Sequence, residues 1–178
     1  MNKLLLAIGT LSIALMTAVS AQTLAPSALK PVADGLFGAA EYSLTGSYNG
    51  MKLGTSLSAD GKTLFVALEA PTAGWVAVGL GSLKMNGAFM VLAYDKSGTP
   101  SISEQTGAGH GHKPNTVNIL TAGAVKEAGG VTVLEFALPA AGFTGAASLK
   151  MLVAYGKNDN FTSIHSKFAS TEITIVKK

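Results

Sequence analysis

The feature that most constrains this chain is a succession of short apolar runs, each ended by a turn that contains glycine. Residues 63–69 alternate in hydropathy and follow an Asp60-Gly61 pair, which is typical of a β-hairpin turn. Residues 131–138 also alternate, and residues 149–155 are strongly apolar. About ten such runs recur at roughly 8 to 12 residue spacing, with no helical period longer than about two turns. The pattern predicts an all-β fold, an antiparallel β-sandwich of about ten strands, with a closed barrel as the alternative.

The ends of the chain differ from this pattern. Residues 1–21 have the features of a secretory signal peptide, since Lys3 precedes an apolar run and small residues end at Ala21. That run is too short for a comfortable membrane span, so we expect none in the mature chain. Residues 22–40 are rich in Ala, Pro and Gly, and we expect a flexible lead-in. Residues 41–178 then form one sandwich domain of an exported protein, periplasmic as the first choice and secreted as the second.

Two residue types are missing from the sequence. There is no cysteine, which excludes covalent haem attachment through Cys-x-x-Cys-His, iron–sulfur ligation and cysteine-based zinc sites. There is also no arginine, and the lysines are scattered although the net charge is +3. Because bidentate recognition of phosphates and bases favours arginine, we expect no nucleic-acid partner. No nucleophile-elbow motif is present, so a hydrolase is not expected.

The stretch from Gly74 to Tyr94 predicts a strand, a glycine-containing turn and a second strand. Its first strand begins at the only tryptophan, Trp75, and its turn carries Met85 two residues before Gly87. Methionine usually fills gaps in apolar cores, so a thioether on a tight turn is an unusual placement. Met85 is therefore either core filler or a ligand.

Three histidines complete the set of candidate ligands. His110 and His112 lie in a loop predicted for residues 106–115, and their i, i+2 spacing would let them share a metal; the alternative is a solvated loop. His165 lies on a late strand or its rim, where Ile164 would point to the core and His165 away from it. Methionine and histidine are an axial pair of low-spin haem iron, and without cysteine such a haem must be held non-covalently.

Residues 74–81, residues 85–91 and the Gly107-Ala108-Gly109-His110 segment together resemble a DOMON domain of the haem b-binding type. The resemblance spans about residues 40 to 177. It implies a β-sandwich of immunoglobulin-like form, similar to the cytochrome domain of cellobiose dehydrogenase. It also implies that Met85 and His165 are the axial ligands of haem b.

Four further residues are expected around such a haem. Lys84 and Lys167 each adjoin a proposed ligand, and in the absence of arginine they would be the first cations to meet the propionates. Trp75 and Phe89 belong to the same apolar stretch as Met85 and would line the pocket.

The resemblance implies a cytochrome that passes single electrons to an unidentified redox partner, and not an enzyme. A cofactor-free module that binds carbohydrate or another small ligand is the alternative. A third hypothesis is copper handling by His110, His112 and nearby methionines.

Overall fold

Thirteen strands, one 3-10 helix and one short α-helix form within residues 22–176, the part of the chain that the computed structural model describes. The predicted signal peptide, residues 1–21, lies outside it. The strands are β1 (Thr23–Leu24), β2 (Pro26–Ser27), β3 (Leu44–Tyr48), β4 (Met51–Ser58), β5 (Thr63–Ala70), β6 (Val76–Leu80), β7 (Phe89–Lys96), β8 (Thr99–Ala108), β9 (Gly111–Pro114), β10 (Ala122–Ala128), β11 (Val131–Pro139), β12 (Ser148–Tyr155) and β13 (Lys167–Ile175). The 3-10 helix spans Ala39–Glu41, and α1 spans Ala141–Thr144.

The strands form two sheets. The seven-stranded sheet has the order β1-β13-β12-β6-β7-β8-β9, and the six-stranded sheet has the order β10-β11-β5-β4-β2, with β3 also paired to β4. All pairs are antiparallel except β1 with β13 and β2 with β4, which are parallel. The predicted β-sandwich is confirmed, with more strands than expected and with these two short parallel pairs.

The core lies between the two sheets and follows the alternation of the strands. On β5, Leu64, Val66 and Leu68 are fully buried and point inward, as a half-buried strand requires. On β6, Val76, Val78 and Leu80 meet them from the other sheet. The Asp60-Gly61 turn joins β4 to β5 as the sequence predicts, and Gly61 has a φ of 72°, which favours glycine.

Residues 22–40, predicted as a flexible lead-in, carry β1 and β2 and contact both sheets. Leu24 is fully buried in the core. Further along, the N–H groups of Asp34, Gly35 and Leu36 donate hydrogen bonds to the Glu135 carboxylate on β11, at 3.0, 2.8 and 3.2 Å. The lead-in therefore packs on the outer face of the six-stranded sheet.

Two local predictions are wrong. Residues 106–115 are not an irregular loop but the end of β8, a tight turn and β9. Ile164 does not point to the core: it lies in the connection between β12 and β13 and is 84% exposed. Within residues 22–176, no helix is long and apolar enough to cross a membrane.

Candidate functional site

The outer face of the seven-stranded sheet carries a second cluster of apolar side chains, separate from the core. A sandwich normally presents polar residues on its outer faces, so this buried apolar cluster, whose members are 0–8% exposed, marks a candidate site. We call it the outer apolar surface; it consists of Trp75, Ala77, Ala88, Met90, Leu92, Leu152 and Ala154, with Met85, Tyr94 and Phe161 packed against it. Its central members are small, because β6 contributes only Ala77 and Gly79 to this face.

Met85 reaches this surface on the connection between β6 and β7. The N–H of Ala88 donates to the carbonyl of Met85 at 3.0 Å and closes a four-residue turn, in which Gly87 has a φ of 78°. The turn rests on β8: Gly87 donates to the carbonyl of Gly107, and Gly107 donates to the carbonyl of Ala88, both at 3.0 Å. Met85 itself is half-buried against the outer apolar surface.

Gly107 is the residue that lets the Met85 turn come so close. A Cβ atom at Gly107 would lie 1.7 Å from the Met85 carbonyl oxygen and 3.2 Å from the Met85 Cγ. Asn86 fixes the same turn from its other side, because its Oδ1 accepts a hydrogen bond from the N–H of Gly109 at 2.8 Å. The position of Met85 is thus set by backbone contacts with the β8–β9 hairpin.

His165 lies in the connection between β12 and β13, and this connection is hydrogen-bonded to Trp75. The Trp75 Nε1 donates to Ser163 Oγ at 2.8 Å, and a Cβ at Gly156 would lie 2.1 Å from that Nε1. From the same connection, Phe161 packs on Tyr94 with ring centroids 4.8 Å apart. The exposed His165 ring packs on the Phe168 ring, with centroids 4.9 Å apart.

Phe168 extends the outer apolar surface toward His165. It pairs with Ala154 across β13 and β12, and Ala154 pairs with Ala77, so the three residues share one face. Phe168 is 60% exposed, which is unusual for a phenylalanine on a paired strand. The structure therefore brings the connections that carry Met85 and His165 to one face of one sheet.

The other predicted site residues lie in different places. Lys84 and Lys167 are exposed and adjoin Met85 and the His165 connection respectively. Trp75 is buried within the outer apolar surface. The structure does not bring Phe89 there, because it points into the core and packs on Phe143 with centroids 5.5 Å apart.

The two remaining histidines lie on the β8–β9 hairpin. His110 is exposed at the hairpin tip, between Gly109 and Gly111. His112 pairs with Gly107 and is half-buried, with its Nδ1 hydrogen-bonded to Oε1 of Gln105. The sequence did not single out Gly107, Gln105 or Ser163 as site residues, because their partners are distant in the chain.

The two sheets, with an apolar surface on the outside of one of them, give this chain the fold of b-type cytochrome domains. The cytochrome b domain of pyranose dehydrogenase from Coprinopsis cinerea matches with a TM-score of 0.56, over 70% of this chain and 76% of that chain, at 15% identity. The cytochrome domain of Myriococcum thermophilum cellobiose dehydrogenase matches with a TM-score of 0.57, over 71% and 75%, at 12% identity. The resemblance to DOMON-type cytochrome domains is thus confirmed as a likeness of fold. No protein-family model matches the sequence, and a comparison with curated proteins gives no match.

The donor groups at this site suit haem better than a bare metal ion. Within residues 22–176, no group of three or more His, Asp or Glu side chains is arranged to hold a metal ion. A porphyrin needs an apolar surface and donors for its iron; the outer apolar surface has a thioether and an imidazole on the two connections beside it, and its own side chains are 0–8% exposed. The donor types present therefore suit a non-covalent haem.

Proposed function

We propose that this protein is an exported b-type cytochrome that holds one haem non-covalently and exchanges single electrons with a redox partner protein. The observation that carries the proposal is the outer apolar surface, which is flanked by Met85 and His165 in a fold shared with cytochrome b domains. When bound, haem b supplies a one-electron iron couple, and a methionine ligand raises its reduction potential.

The residues of the chain have separate roles in this proposal. Met85 and His165 would hold the haem iron, and the side chains of the outer apolar surface would exclude water from the porphyrin. Lys84 and Lys167 are the cations available to the propionates, since both are exposed and adjoin Met85 and the His165 connection. With both residues bound to the iron no position would be open for a substrate, so we propose a carrier and not an enzyme.

The geometry of Trp75 argues against the alternative of a sugar-binding module. Sugar sites rely on exposed aromatic platforms, whereas Trp75 is 6% exposed and its Nε1 is bonded to Ser163. We therefore favour the cytochrome over the cofactor-free module.

Absorption spectra of the protein purified from an exporting host, oxidised and reduced, test this function. We expect sharp low-spin bands in the wild type and their loss in His165→Ala, because that variant removes the only imidazole proposed for its side of the haem. His110→Ala is the matched control, because its exposed side chain is also an imidazole and we expect its removal to leave the spectrum unchanged. A colourless wild-type protein that also fails to bind added haem would refute the proposal.

A further inference from the structure

His112 occupies a position that the proposed function leaves unused. It pairs with Gly107 across β9 and β8, and paired residues place their Cβ positions about 5 Å apart on the same face. At Gly107 the space that a side chain would fill is taken by Met85, whose Cγ lies 3.2 Å from the Cβ position. His112 is therefore the cross-strand partner of the residue against which the Met85 turn packs.

The strand register places His112 on the outer face of the seven-stranded sheet. Gly107 and Gln105 are two residues apart on β8 and share a face, and Gln105 pairs with Met90 of the outer apolar surface. His112 stands on that same face, at the Met85 end of the surface and half-buried. The ring nitrogens of an imidazole at the rim of an apolar surface need hydrogen-bond partners or another ligand.

A short chain of hydrogen bonds reaches the His112 ring. The Gln105 side chain is buried, and its Nε2 donates to Ser103 Oγ at 2.9 Å. With the amide in this orientation its Oε1 faces His112, and because a carbonyl oxygen only accepts, this orientation places the hydrogen on Nδ1 of His112. In the neutral ring this leaves the lone pair on Nε2, which has no hydrogen-bond partner among the described residues.

This arrangement is the one that proteins use for a ligating histidine. Metal-bound histidines usually donate the second ring N–H to an oxygen that fixes the tautomer and the ring orientation. In this orientation Gln105 does this for His112, whose cross-strand partner Gly107 packs against Met85. We propose that His112 is a second nitrogen donor on the Met85 side of the site, able to bind the haem iron through Nε2 when the Met85 thioether is absent. This inference rests on the proposed function.

Haem-loaded Met85→Ala tests the proposal by its absorption and electron paramagnetic resonance spectra. We expect it to stay low-spin with two imidazole ligands and a lower potential than the wild type, because methionine ligation raises the potential. Met85→Ala/His112→Ala should turn high-spin. Met85→Ala/His110→Ala is the matched control and should stay low-spin, because His110 lies at the exposed hairpin tip.

The outcomes separate this inference from the proposed function. A low-spin wild type with a high-spin or haem-free Met85→Ala overturns the role of His112 and leaves the cytochrome intact. A low-spin Met85→Ala/His112→Ala also overturns it. A wild type that binds no haem removes the proposed function, and His112 then has no iron to bind.

Two further measurements keep the test independent of folding and of haem loading. Circular dichroism establishes that each variant folds, and Met85→Leu replaces Met85→Ala if the alanine variant does not. Nitrogen NMR of the haem-free protein should show the Nδ1–H tautomer of His112, and Gln105→Leu should remove that preference while Lys113→Ala should not. A His112 ring with its hydrogen on Nε2 in the wild type would contradict the proposal.

Discussion

The outer face of the six-stranded sheet is covered by the lead-in of the chain itself, whereas the outer face of the seven-stranded sheet is flanked by two connections. On the first, Tyr42 stands against Gly54 and donates a hydrogen bond to Glu135 at 2.7 Å. On the second, the outer apolar surface has small residues at its centre and leaves Phe168 exposed at its edge. One face is closed by polar contacts, and the other by apolar contacts that Met85 and Phe161 make from the two connections.

Burial alone does not distinguish the two outer faces. Glu135 is as buried as the core leucines, yet its carboxylate is satisfied by three backbone N–H groups and one hydroxyl of the same chain. Burial raises the pKa of Glu135, and the hydrogen bonds from Tyr42 and the lead-in lower it by less. Burial likewise raises the pKa of Tyr42, with a further contribution from Glu135.

The largest effect on stability is expected from Glu135→Ala. This change leaves three backbone N–H groups and the Tyr42 hydroxyl without their acceptor, and we expect the free energy of unfolding to fall by about 3 kcal/mol or more. Urea denaturation measures it. Glu69→Ala is the matched control on the same sheet, where loss of its ion pair with Lys52 should cost under about 1 kcal/mol. Equal losses in the two variants would show that the buried hydrogen bonds of Glu135 contribute no more than an exposed ion pair.

A smaller loss is expected at the Met85 turn from Gly107→Ala. The added methyl group would overlap the Met85 carbonyl, so the turn must move, at a cost of about 1 to 3 kcal/mol. In the haem-loaded protein this shift should also change the low-spin spectrum. Gly111→Ala is the control on the same hairpin, since its Cβ would meet only the Ala108 carbonyl oxygen, at 3.8 Å. Wild-type stability and spectrum in Gly107→Ala would show that the Met85 turn is not fixed by this contact.

The smallest effect is a pH dependence of the unfolding free energy, which arises from Glu135 on the outer face of the six-stranded sheet. The pKa of Glu135 in the native protein lies above its ordinary value of 4.5, so the native state holds this proton more tightly than the unfolded chain does. Its contribution to stability is therefore complete below about pH 4.5 and is lost as the pH rises through the native pKa. We expect the unfolding free energy of the wild type to fall over this range relative to Glu135→Gln, which cannot titrate.

Urea denaturation of both proteins from about pH 4 to about pH 8 measures this difference. Taking the difference between the two proteins cancels the contributions of other groups that titrate equally in both. One such group is Asp60, whose pKa is lowered by hydrogen bonds from Ser58 and the Lys62 N–H. A constant difference across the range would show that the Glu135 carboxyl has the same pKa in both states.

Much of the fold was readable from local pattern. The alternation of residues 63–69 and the Asp60-Gly61 turn predicted β5 and its hairpin, because side-chain period and turn chemistry act over a few residues. The same reasoning placed Met85 on the turn between β6 and β7. It missed β9, since the Gly-rich sequence of residues 106–115 has no apolar alternation, and its strand forms by pairing with β8. It misjudged Ile164, because the expected strand there is a connection held by Trp75 through Ser163.

The candidate site was readable only in part. The sequence supplied Met85, His165 and Trp75 as residue types with a known chemistry, and it offered His112 only as a metal ligand shared with His110. It gave no sign that Glu135 is buried beyond its position between two apolar residues, since its donors are about a hundred residues away in the chain. Phe89 was expected at the site, but the pleat of β7 directs it into the core.

The sequence by itself determined the sandwich, the main turns and the supply of donor groups, because periodicity, glycine placement and side-chain chemistry are local properties. Only the tertiary structure decided which outer face is covered and which carries the apolar surface. That choice depends on the lead-in reaching Glu135 and on two distant connections meeting beside β6. It also decided that His112 and Met85 both lie next to Gly107, because the pairing of β8 with β9 places His112 opposite the residue on which the Met85 turn packs.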